Sequence, residues 1–129
     1  MLQIKLVLSI KGYSMAVTWK RLAYANKVTT AVTSHATPTL NTDGVDIATI
    51  LSLQHAITNM STNLSGTPTA GDMLLFRLMD NATPRAIAWG TSFEAYVAAL
   101  PTTTVASKEL AVLFLFRTKW SCVYAGSEA

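Results

Sequence analysis

The chain has 129 residues, half of them hydrophobic and only 13% charged, with a net charge of +3. This length makes one domain with a core of its own. It excludes a membrane-spanning helix, since no apolar run reaches ~18–20 residues, and an intrachain disulfide, since Cys122 is the single cysteine. The ten Lys and Arg are scattered, with Lys20-Arg21 the one small cluster, so no nucleic-acid surface is expected. Residues 6–10 are too short for the apolar core of a signal peptide. A typical domain carries about 25% charged residues. The deficit here points to surface buried against other chains, because obligate interfaces are more apolar than ordinary surface.

In chain order, residues 1–30 read as an extended N-terminal arm. Met15-Ala16-Val17-Thr18-Trp19-Lys20-Arg21-Leu22-Ala23-Tyr24 reads as a fresh start, and the preceding Lys11-Gly12 can be encoded by a ribosome-binding sequence. Met15 is thus a candidate for the native first residue, with a short strand over residues 2–10 as the competing reading. From Thr29 the residues are Thr- and Val-rich and suit strands. Asn41-Thr42-Asp43-Gly44 is a turn, 45–53 is a short helix or strand, and 61–72 is a polar loop. Strands are expected over 73–79, 85–89, 109–117 and 120–125, with a hairpin across 80–85. The unbroken apolar runs at 73–79 and 110–116 predict strands buried on both faces. No internal repeat is visible. The fold class expected is all-β, an antiparallel β-sandwich of jelly-roll type over residues 31–129.

No catalytic constellation emerges. Gly66-Thr67-Pro68-Thr69-Ala70-Gly71 has the glycine spacing of a phosphate loop but is followed by Asp72-Met73, without the required Lys and Ser/Thr. Asn41, Asp43 and Asp46 supply three oxygens, too few for calcium, and read as an Asx-bonded turn. His35 and His55 have no partner at metal-ligand spacing, and Cys122 reads as a small buried hydrophobe. No enzyme activity, cofactor or metal is expected. Trp89 and Trp120 end strands and should cap the core. The residues expected at an interface are Trp19, Arg21, Leu22 and Tyr24, because an arm has no core of its own and Trp is enriched at binding hot spots.

Four stretches carry a resemblance. They are Phe76-Arg77-Leu78-Met79-Asp80, Thr83-Pro84-Arg85-Ala86-Ile87-Ala88-Trp89, Leu100-Pro101-Thr102-Thr103-Thr104, and the run from Leu110 to Trp120. Together with residues 15–24 they resemble a small β domain of tailed-bacteriophage virion structural proteins. The resemblance covers about residues 37–125. It departs at Leu113-Phe114-Leu115-Phe116-Arg117, where relatives often carry Gly-x-x-Tyr, which leaves the register of the last hairpin open. It implies a homotrimer without enzymatic activity. Its partners would be the major capsid protein or other virion proteins, with no nucleic acid and no membrane. Two settings follow: a capsid decoration (cement) protein on the capsid exterior, or a tail-fibre or baseplate component with a receptor-binding domain. The second predicts Trp89, Phe93 and Tyr96 clustered on exposed loop tips.

Overall fold

Thr29, Ile47 and Leu75 sit side by side on three parallel strands, and that parallel stacking organises the molecule. The computed structural model describes residues 4–10, 13–19 and 28–129. Strands β1 (Ile4–Ile10) and β2 (Tyr13–Trp19) form an antiparallel hairpin, with Met15 opposite Leu8. Residues 4–10 and 13–19 therefore pair as strands within the expected N-terminal arm. The remaining strands are β3 (Thr29–Ala31), β4 (Thr39–Asn41), β5 (Ile47–Leu53), β6 (Asn63–Ser65), β7 (Met73–Asp80), β8 (Phe93–Ala95), β9 (Leu110–Phe116) and β10 (Trp120–Ser127). The boundary expected between residues 30 and 31 falls inside β3. Among the described residues there is no α-helix, only a 3-10 turn over Thr42–Gly44.

The all-β expectation holds, but the antiparallel jelly roll is not what forms. The sheets are mixed, and the chain winds as a β-solenoid of about three turns. One sheet runs in the order β3-β5-β7-β9-β10-β8, and β4-β6 make a second. The pairs β3/β5, β5/β7, β4/β6 and β8/β10 are parallel, while β7/β9 and β9/β10 are antiparallel. A parallel neighbour needs a full circuit of chain between the strands, and each circuit here is the next coil. Residues 36, 57–60 and 86–88 stack on one another at another side of the coil through main-chain bonds and the Ile57/Ile87 bridge. Successive rungs are 18 residues apart (29 to 47), 24 (39 to 63), 28 (47 to 75) and 30 (57 to 87). That unequal spacing is why no sequence repeat is visible. It also removes the hairpin expected across 80–85: β7 pairs with β5 and β9, and residues 81–84 turn the corner of a coil instead.

The core fills the coil. Leu74, Phe76 and Leu78 of β7 and Leu110, Val112 and Phe114 of β9 point inward with Ala48, Ile50, Ile57, Ile87 and both Trp89 and Trp120. Four rings, Phe76, Trp89, Phe93 and Phe114, meet in every pairing, with centroids 4.9–5.8 Å apart in edge-on or tilted geometry. Such geometries are the favoured ones for aromatic pairs. Two glycines are required at corners. Gly66 (φ 110°) leaves no room for a Cβ against Thr42 Oγ1, and Gly90 (φ 78°) leaves none against Asn59 Oδ1 and Ser61 Oγ.

Candidate interaction surface

The outer face of the main sheet is built from the alternate positions of the same apolar strands. In β7 the burial alternates strictly: Leu74, Phe76, Leu78 and Asp80 are buried, whereas Met73, Leu75, Arg77 and Met79 are not. In β9 Leu110, Val112 and Phe114 are buried, and Ala111, Leu113 and Leu115 are half-buried. The expectation of strands buried on both faces is therefore corrected: one face of these strands is fully buried and the other only half-buried, with Met73 exposed. The register aligns residues of this outer face, three of them half-buried, into a row across five strands, Thr29–Ile47–Leu75–Leu113–Tyr124. Met73 pairs with Leu115 beside it. Met73 is 39% and Tyr124 56% exposed. Tyr124 lies over Gly126, whose missing Cβ makes the room.

A bidentate ion pair sits in this face, with the Glu128 carboxylate beside it. Arg77 and Glu109 are bidentate: Nε donates to Oε1, and Nη2 donates to Oε2 at 3.0 Å. The bond from Arg77 holds the Glu109 carboxyl below the ordinary carboxylate range, against burial, and Glu109 in turn raises the Arg77 guanidinium. The face thus joins an apolar row to a charged corner of Arg77, Glu109 and Glu128, where Glu128 also accepts the Glu109 N–H.

The remaining candidates resolve into structural roles. Asn41 Oδ1 accepts the Asp43 N–H, and Asp43 Oδ1 accepts the Thr67 N–H at 2.6 Å, so the Asx-bonded turn is as expected. Asp46 Oδ2 accepts the Val28 N–H. In the glycine loop, Thr69 N–H donates to Asp72 Oδ2, so two of its amides are held by carboxylates. His35 Nδ1 accepts the Thr37 N–H, and His55 is exposed. Cys122 is fully buried, and burial pushes its thiol up. Among the described residues no group of three or more His, Cys, Asp or Glu is placed to hold a metal. A surface cleft of about 350 Å³ between the 64–68 and 116–120 segments has Lys119 as its one ionisable lining residue. No described helix is long and apolar enough to cross a membrane.

Of the expected interface residues, Trp19 ends β2 opposite Ile4, and Arg21, Leu22 and Tyr24 lie outside the described residues. The sequence reading missed Ile47, Leu75, Leu113 and Tyr124. The signal was present in the unbroken apolar runs, but a run alone does not say whether the second face is covered by the same chain or by another. Comparison with family models, with curated proteins and with solved structures finds no match for this chain.

Proposed function

We propose that this chain is a bacteriophage virion structural protein, a trimeric capsid decoration (cement) protein that binds the capsid exterior and stabilises the head. In this reading it has no catalytic activity and needs no cofactor or metal. The observation that carries it is the outer sheet face, where the row Ile47–Leu75–Leu113–Tyr124 and the Met73–Leu115 pair set apolar side chains side by side across four strands. Such a face suits an assembly component.

The motifs behind the resemblance support the same reading, because they meet in space. Asp80, Arg85 and Thr104 are joined by hydrogen bonds, with Thr104 Oγ1 donating to Asp80 Oδ2 at 2.6 Å and accepting the Arg85 N–H at 2.8 Å. Trp89 Nε1 donates to the Pro101 carbonyl at 2.8 Å. The strand, the Arg-Ala-x-x-Trp segment and the Leu-Pro-Thr-Thr-Thr segment are therefore parts of one staple that closes the third coil. Decoration would work mechanically: many weak contacts, repeated over the lattice, add up through avidity.

The alternative, a tail-fibre or baseplate component with a receptor-binding domain, called for Trp89, Phe93 and Tyr96 on exposed tips. Trp89 and Phe93 are buried in the aromatic core, and Tyr96 alone is exposed, under Arg117. This weighs against that version. The deciding experiment is copy number in purified virions, by quantitative gel densitometry against the major capsid protein. Hundreds of copies support decoration, a few dozen or fewer place the chain on the tail, and none overturns the virion reading.

A further inference from the structure

We draw no further inference here: the strongest candidate, the apolar row Ile47–Leu75–Leu113–Tyr124 on the outer face of β5-β7-β9-β10, carries nothing further, because nothing in the structure shows what covers it.

Discussion

Thr104 donates its hydroxyl proton to Asp80 at 2.6 Å in a site where both side chains are buried. The other oxygen of Asp80 accepts the N–H of Ala82 at 3.0 Å and of Ser107 at 2.9 Å. Those two are the non-glycine residues with positive φ, 73° and 60°, among the described ones. One carboxylate therefore holds two left-handed turns and ties the end of β7 to the Thr-rich loop. Replacing Asp80 by Ala should cost about 1–3 kcal/mol for each buried donor left without a partner. Thr104→Val, which keeps shape but takes one donor from Asp80 and the acceptor from the Arg85 N–H, should cost less in total than Asp80→Ala, which leaves three donors without their acceptor. Urea unfolding of the two variants checks the order.

The same group sets a pH dependence. Burial acts to raise the Asp80 carboxyl, but the bonds from Thr104, Ser107 and Ala82 and the charge of Arg85 outweigh it and hold it below the ordinary range. A depressed folded-state value means that the stabilisation is fully present above the unfolded value of about 3.9 and is lost as pH falls through the folded one. Glu109, depressed by Arg77, acts in the same direction. Stability should be flat in this respect near neutrality and fall below about pH 4. Asp80→Asn should be less stable at pH 7 and lose less on acidification than the wild type, read from urea midpoints at both pH values.

Phe114 touches Phe76, Trp89 and Phe93. Phe114→Ala removes three ring contacts and opens a cavity under β9, with an expected loss of about 3–5 kcal/mol. Trp89 emission should shift to the red as water reaches the gap. Leu64→Ala, on the half-buried rim of the core, should cost clearly less; equal losses would mean that the four rings are not the centre of the packing.

Gly90 should resist substitution. Its φ of 78° strains any residue with a Cβ, and that Cβ would meet Asn59 Oδ1 and Ser61 Oγ, which hold the corner by bonding Ser61 N–H and the Trp89 carbonyl. Gly90→Ala should destabilise by about 1–3 kcal/mol. Gly71→Ala, also at positive φ but with open space around it, should lose only the backbone part of that cost.

Local order was readable from residue types. The β-branched stretches, the Asn41–Gly44 turn, strands β7, β9 and β10 and the buried Trp89 and Trp120 follow from propensity and from turn chemistry at neighbouring positions. The hairpin between β9 and β10 was readable too, because three turn residues, Arg117-Thr118-Lys119, leave no other partner within reach. Its bulge between Cys122 and Tyr124 was not, since nothing local marks where the ladder skips.

Composition and pattern by themselves determined that this chain is all-β and that β7 and β9 are unbroken apolar strands. Tertiary structure alone decided the rest. Whether Leu75 pairs with Ile47 or folds back on its own neighbour depends on loop paths of 18 to 30 residues, which no short-range signal encodes. That choice turned an expected antiparallel sandwich into a coil of parallel rungs. It also sent Leu74, Phe76 and Leu78 inward and left Leu75 and Leu113 facing out, because alternate residues of a strand must take opposite faces and a single coil has only one inside.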